Sequence, residues 1–482
     1  MQPQENSRRI AVLSLTNMSA DPGDEIFSDG MTEELISALS KIAGLRVIAR
    51  ASVIRFKGST KSIADIGREL NVSAILEGSV RKAGGKIRIG VQLDDPATEE
   101  QLWSAKYDRN LEDVFTVQSE IAQKVANELE VQINSSERLR LKKKPTDSNR
   151  AFTRYLEGRH FLNTRTEDGL KKAIELFEGA LDEDPRYALA YTGVADSLSI
   201  LALLEFLPPK QAFPKAKTAA QKSLGIDNNL AEAHSSLGLI RFQYDWDWEG
   251  AEKEFTRAIE LNPSLAPAHQ YYADFLKSQG RFDEALSEMG HAQALDPLSL
   301  SISTGLGHVL YLSRQYDQAI QQYQKAIKLN PEFVQAHLWF GRPYLQKRMY
   351  REAIAELTQA VNLSGESTIS LAMLGHAHAA AGHRKSAEEY LKRLSERQKR
   401  QYVPSYWIAM VHVGLGDNDE SFDWLEKSFQ ERSSWLVWSG VEPRFDPLRS
   451  DARFATLMAK MRLKPKVESG LGIRRWLKGP SK

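Results

Sequence analysis

One column of small residues constrains this chain more than any other feature. Ala251, Ala285, Ala319 and Ala353 stand 34 residues apart, and Ala387 and Ser421 continue the count without slippage. Four residues after each comes a large apolar side chain: Phe255, Met289, Tyr323, Leu357, Leu391 and Leu425. Three further on another alanine is usual (Ala258, Ala292, Ala326, Ala360), and five beyond that the first three copies carry Pro263, Pro297 and Pro331. A second small residue sits twelve positions before most members of the column, at Ala273, Gly307, Gly341, Gly375 and Ala409. Two small residues at such a spacing let a pair of helices cross closely, where a large group would overpack the contact by roughly 1–3 kcal/mol. The large residue fills the gap between neighbouring units, and the proline ends the second helix. Each helical hairpin then exposes an apolar face that only the next hairpin can cover, so stability is a sum of nearest-neighbour contacts and the ends need caps.

This period and order of positions resemble the tetratricopeptide repeat. The resemblance implies an α-solenoid that presents a binding surface rather than a chemical site. Array-like sequence begins near Ala151, with Gly158, Ala173, Phe177, Ala180 and Pro185 in a first copy and a looser second copy interrupted by LEFLPPKQAF. About eight hairpins are expected over residues 151–432. The following segment, 433–463, carries Trp435, Trp438, Phe445, Leu448 and Phe454 and reads as a hydrophobic cap over the final repeat. Residues 464–482, with Arg474, Arg475, Trp476 and Lys478, read as a basic, flexible tail.

Residues 1–134 lack the period. Ile10–Leu15 is a short apolar run of strand type, and a helix is expected from about Met31, capped by Ser28 or Asp29. A strand at Arg46–Arg50, a helix at Ile63–Leu70 and a strand at Ala74–Val80 follow. Lys82–Leu93 reads as a hairpin turning at Gly84-Gly85, with Ile87, Ile89, Val91 and Leu93 alternating on the returning strand. Leu102–Tyr107 and a long helix over Leu111–Ile133 complete a small α/β domain with a mixed sheet. The expected fold class is therefore an α/β N-terminal domain followed by an all-α solenoid. The stretches IAVLSLTNMSADPGDEIFSDG and ILEGSVRKAGGKIRIGVQLDD resemble the TolB-like domain that precedes tetratricopeptide arrays in bacterial proteins, often behind a class III nucleotide cyclase or a winged-helix module. With the domain beginning almost at Met1, neither module is expected ahead of it, and the resemblance implies a cyclase or transcriptional regulator served in trans. Residues 135–150, with Lys142, Lys143, Lys144 and the helix-breaking Pro145, read as a solvated basic linker.

The balance of 64 Lys and Arg against 63 Asp and Glu leaves no global field toward nucleic acid or an anionic membrane. With no cysteine, disulfides, thiolate nucleophiles and Cys-based zinc sites are excluded. The longest apolar stretch, Ile200–Leu207, is far short of the roughly 20 residues a spanning helix needs, and MQPQENSRRIAVLSL is no secretory signal. A cytoplasmic location is the expectation. The acidic loop Asp21, Asp24, Glu25, Asp29 fits turn and cap roles and no EF-hand spacing. His376, His378 and His383 are the densest histidines, but positions two apart on a helix diverge by about 200°, so no metal site is expected. No GxSxG, Walker A, HExxH or kinase signature appears, and neither enzyme activity nor a cofactor is expected.

The first helices of stacked hairpins line the concave face. Counting by the period places Gln270, Asp274 and Lys277 there, then Thr304, His308 and Tyr311, then Leu338, Arg342 and Leu345. His376, Tyr406 and Met410 continue the columns. Such a mixed groove suits a peptide or helix of a protein partner. The expected function is a non-enzymatic interaction scaffold in bacterial signalling or regulation. The alternative is a regulatory subunit of a nucleotide cyclase or transcriptional regulator whose N-terminal domain senses a small ligand. Nucleic acid is not expected as a partner, and oligomerisation is left open.

Overall fold

The computed structural model describes residues 8–463. Its first part is a mixed sheet flanked by helices. Strand β1 (Arg8–Val12) leads through the two-residue β2 (Thr16–Asn17) into α1 (Glu25–Ser40), then β3 (Leu45–Val47), the short α2 (Arg50–Val53), α3 (Ile63–Leu70) and β4 (Ala74–Ala83). Strands β5 (Lys86–Asp95) and β6 (Glu100–Asn110) and helix α4 (Val114–Glu128) complete the unit. The strand order is β3-β1-β4-β5-β6, with β2 added beside β4. β3, β1 and β4 run parallel, whereas β4, β5 and β6 are antiparallel. Gly84 and Gly85 form the β4–β5 turn at φ 53° and 77°, the left-handed geometry a two-residue hairpin loop needs. Ile10, Val12 and Leu76 point to the side covered by α1 and α4, while Ala11 and Ile75 pack under α3 with Ile66 and Leu70.

Two expectations are corrected here. Helix α1 starts at Glu25, not near Met31. Asp29 lies inside it and pairs with Lys57 at 2.6 Å instead of capping, while the capping contact of this loop is Asp21 Oδ1 accepting the Gly23 N–H. The second correction concerns residues 135–150. Helix α5 (Ser135–Lys142) forms there, because Asn134 and Glu137 make a reciprocal capping box. Glu137 is buried, its other oxygen accepting the Ala43 N–H at 2.9 Å, and Lys143 pairs with Asp227 at 2.7 Å. This is a docked segment, not a solvated linker.

Eight helical pairs follow. The first four are α6 (Asn149–Leu162) with α7 (Glu167–Glu183), α8 (Ala188–Leu203) with α9 (Pro209–Ile226), α10 (Ala231–Ile240) with α11 (Trp248–Leu261), and α12 (Ala266–Ser278) with α13 (Phe282–Leu295). The others are α14 (Leu300–Leu312) with α15 (Tyr316–Leu329), α16 (Val334–Gln346) with α17 (Tyr350–Leu363), α18 (Thr368–Ala380) with α19 (Arg384–Gln398), and α20 (Ser405–Leu415) with α21 (Asn418–Glu431). The repeat chemistry is visible atom by atom. A Cβ on Gly307 would stand 2.6 Å from the Tyr323 ring, and one on Gly341 would stand 2.6 Å from Leu357. The large residue thus seats on the small residue of its own hairpin at both crossings. It also reaches the next one: the Tyr323 ring lies 6.2 Å from that of Phe340, and Phe255 lies 6.0 Å from Tyr272. Ala319 is fully buried on α15. Ala319→Phe is expected to lower stability by about 1–3 kcal/mol through overpacking, and an unchanged thermal midpoint would sink this account of the crossing.

The sheet unit is fused to the array. Gly30 of α1 meets Leu156 of α6, and the Phe115 and Phe152 rings stand 4.6 Å apart. Further along, Leu295 O accepts the Ala49 N–H at 2.8 Å, Ala294 O accepts Arg9 Nη2 at 2.8 Å, and Asn262 Nδ2 donates to Ser40 Oγ at 3.0 Å. No helix among the described residues is long and apolar enough to cross a membrane.

Candidate functional site: the concave face

The 34-residue columns do converge. Asp274, His308, Arg342, His376 and Met410 occupy equivalent positions on α12, α14, α16, α18 and α20. They do not line an open groove. The chain beyond α21 turns back along the concave face through two 3₁₀ turns, Ser434–Trp438 and Pro443–Leu448, and then enters α22 (Ala452–Lys460). The cap therefore reaches well past the final repeat: Trp438 contacts Phe242 (5.8 Å between rings) and His308 (5.4 Å). Arg432 Nη1 donates to Tyr244 O at 3.1 Å and Trp248 Nε1 to Met461 O at 3.0 Å, so the array curls until its third hairpin meets its end.

Burial follows from this closure. Leu338 and Leu345 belong to the hydrophobic core, Tyr406 packs its ring 5.8 Å from Phe445, and His376 Nδ1 bonds Met410 O at 2.7 Å. Tyr311 donates its hydroxyl to Glu442, a cap residue that is 1% exposed. Arg444 grips Glu442 through Nε at 2.9 Å and Nη2 at 3.0 Å, and Arg342 lies 3.7 Å from it. Arg342 also stacks 3.9 Å over the Trp339 ring and donates to His308 Nε2 at 3.2 Å. Burial, then the neighbouring Lys277 and Arg342, hold the His308 imidazole well below its usual range, and burial with Arg444 nearby lowers His376 to about 4. Burial alone would raise the Glu442 carboxyl, but the charges of Arg444 and Arg342 dominate and hold it at about 2.

Lys277 and Thr304 are buried as well, while Gln270 and Asp274 remain half-exposed. Lys277 pairs with Asp274 at 2.5 Å and sits 5.1 Å above the Trp438 ring. Thr304 donates to Leu300 O at 2.9 Å, and Gln270 Nε2 donates to Ser301 Oγ at 2.9 Å. These residues surround a cavity of about 210 Å³, which is what the cap leaves open. Trp339, Glu442 and Arg444 were not singled out from the sequence. Trp339 lies one residue off the inward columns, and the cap has no repeat register to count from.

A second, half-buried carboxylate closes the ring. Glu205 Oε1, after α8, accepts the indole N–H groups of Trp407 and Trp435, the latter at 2.9 Å. Burial raises this carboxyl to about 7, with the two indole bonds opposing. A raised folded-state value means that ionisation is penalised in the fold. The penalty is absent below the ordinary value of 4.5, grows as pH rises between 4.5 and 7, and is complete above 7. Glu205→Gln keeps an oxygen for both indoles and cannot ionise. It is expected to match the parent at pH 4.5 and to be more stable by about 1–3 kcal/mol at pH 8, read as urea midpoints; equal midpoints at pH 8 would rule this out.

The histidine cluster separates as helix geometry requires: His378 and His383 touch at 3.3 Å, while His376 is buried elsewhere. A different triad, His269, Glu288 and His291, brings its ligand atoms together. His269 Nδ1 already bonds Glu288 at 2.7 Å and its Nε2 bonds Pro263 O at 3.0 Å. The same clamp recurs as His337–Glu356 at 2.7 Å and His234–Glu254 at 2.6 Å, fastening first to second helices. Its signal was in the sequence, since Glu254, Glu288 and Glu356 keep the 34-residue period. In the acidic loop, Asp24 pairs with Lys82 at 2.9 Å and Glu25 with Lys57 at 2.5 Å. The basic tail, 464–482, lies outside the described residues.

With this geometry in view, comparison with known proteins adds the following. A tetratricopeptide-repeat family model matches residues 307–347. A protein named putative adenylate cyclase 3 from Rhizobium meliloti is 36% identical over 235 residues, which cover 48% of this chain and 39% of that protein. The transcriptional regulator HilA of Salmonella typhimurium is 29% identical over 143 residues, covering 30% of this chain and 26% of that one. The chain thus spans less than half the length of either relative. Among solved structures, the yeast Tom70 aligns with a TM-score of 0.43 at 16% identity, over 73% of this chain and 82% of its own. The matched segment runs from the hairpin that carries Gly307, His308 and Ala319 into the next, which carries Arg342, and the fold is a small mixed-sheet unit followed by a solenoid-like, tetratricopeptide-type arrangement of helices.

Proposed function

We propose that the protein is a non-enzymatic protein–protein interaction scaffold in bacterial regulation, working in the cytoplasm. The observation that carries this reading is the stack of eight hairpins itself, a continuous helical surface whose second and third hairpins are tied to the C-terminal segment. The partner element is a peptide or helix that docks at the mouth of the concave face, where Gln270 and Asp274 are reachable, and not along the full set of columns, which the cap covers. The sheet unit, TolB-like by its sequence, is a second partner-holding element fixed rigidly against the array. Affinity capture from native cells, with mass spectrometry, should enrich a protein on the parent chain that a Gln270→Arg, Asp274→Arg double variant loses. Capture of the same set by both would remove the mouth from the docking surface.

The likeness to a putative adenylate cyclase and to a transcriptional regulator supports a second reading. Here the chain is a regulatory element for a nucleotide cyclase or transcription factor, acting in trans, with the sheet unit sensing a small ligand. Stimulation of a co-expressed cyclase by the full chain would favour it, and unaltered cyclase output would remove it.

A further inference from the structure

The cavity at the concave mouth has features that docking of a partner does not use. Its volume of about 210 Å³ leaves room for one ring system with a short substituent. Its walls are flat. The His308 imidazole and the Trp339 indole lie nearly parallel, 10° apart at 6.0 Å. The cap's Trp438 meets His308 at 60° and its Trp435 meets Trp339 at 58°, so four rings form a corner that offers faces and edges to another ring.

The polar groups have a sign. Arg342 has only N–H groups to offer, so His308 Nε2 is the acceptor in their 3.2 Å bond, and the neutral imidazole carries its proton on Nδ1. His308 lines the cavity, and this N–H is its remaining donor. Lys277, 3% exposed, offers an ammonium whose one carboxylate partner is the half-exposed Asp274. Behind them Arg342 and Arg444 share a single carboxylate, Glu442, and Arg342 Nε and Nη2 have no partner. The assembly sets three cations, Lys277, Arg342 and Arg444, against two carboxylates, Asp274 and Glu442. One positive charge is left over where water is largely excluded, and an uncompensated buried cation is costly.

We propose that this cavity binds a planar aromatic anion, its ring against Trp339 and Trp438 and its anionic group at Lys277 and His308 Nδ1. The inference goes beyond partner docking and stands independently of it. A carboxylate and a phosphate both satisfy the chemistry, and the ring supplies the stacking.

Titration calorimetry on the full chain separates these sources. The probes are indole-3-acetate and adenosine monophosphate, each against its uncharged counterpart, indole-3-acetamide and adenosine. At least one anion is expected to bind at a single saturable site, at least tenfold tighter than its uncharged counterpart. Binding of the first assigns a carboxylate, and binding of the second a phosphate. Ser301→Trp, at the exposed rim, should abolish binding with an unchanged melting temperature. Lys277→Gln should erase the preference for the anion, and the rim variant keeps the test valid where that buried substitution fails to fold. Binding of neither anion, equal binding of charged and uncharged probes, or full binding by Ser301→Trp would each overturn the proposal.

Discussion

Glu442→Ala is expected to destabilise the protein by about 3–5 kcal/mol, the usual cost of leaving buried charge without its counter-ion. Glu442 takes the Tyr311 hydroxyl and both forks of Arg444, and it is the nearest carboxylate to Arg342. All four side chains are sealed from water, so removing one carboxylate strands two guanidinium groups. Urea denaturation at pH 7 reads the effect directly. The pH dependence has a fixed sign. Because the folded carboxyl is held at about 2 against an ordinary 4.5, its contribution is complete above 4.5 and is lost as pH falls through that interval toward 2. The parent should therefore lose stability over this range more steeply than Glu442→Ala does. A variant that unfolds at the parent's midpoint would show that the cap is not held by this network.

Trp438→Ala should cost a comparable amount, about 3–5 kcal/mol, as a large buried aromatic truncated to a cavity. Trp438 is the residue through which the cap reaches the far side of the array, touching Phe242, His308 and Lys277. Hydrogen exchange over the first turn, residues 434–438, should rise with the loss, since Trp438 supplies its contacts with Phe242, His308 and Lys277. Trp424 is a matched control. It lies half-buried on α21 beneath Lys427, at 3.8 Å, so its truncation should cost distinctly less. Equal losses at the two sites, or protected amides in Trp438→Ala, would mean that the cap stays docked without its anchor.

Much of this was legible in the residues. Ile63–Leu70 forms its helix to the residue, and Gly84-Gly85 turns its hairpin, because local propensity and turn chemistry decide those elements. The hairpins follow their 34-residue count because each crossing repeats the same local packing, Tyr323 on Gly307 and Leu357 on Gly341. Counting also set His308 and Arg342 at equivalent positions on α14 and α16. It could not say whether the concave side was open. Helix α1 began earlier than expected because its first turn, Glu25–Gly30, is polar in pattern but is tied down by Lys57 and Leu156, partners distant in sequence.

By itself, then, the sequence determined the helical unit and its period, since these depend on contacts within a hairpin or between adjacent ones. The tertiary structure alone decided that residues 135–142 dock as a helix, that Glu205 joins Trp407 and Trp435, and that Glu442 and Trp438 turn a groove into an interior. Those contacts join positions up to 230 residues apart. No local pattern encodes them, because the rotation from one hairpin to the next, accumulated over eight copies, is what brings the ends of the array together.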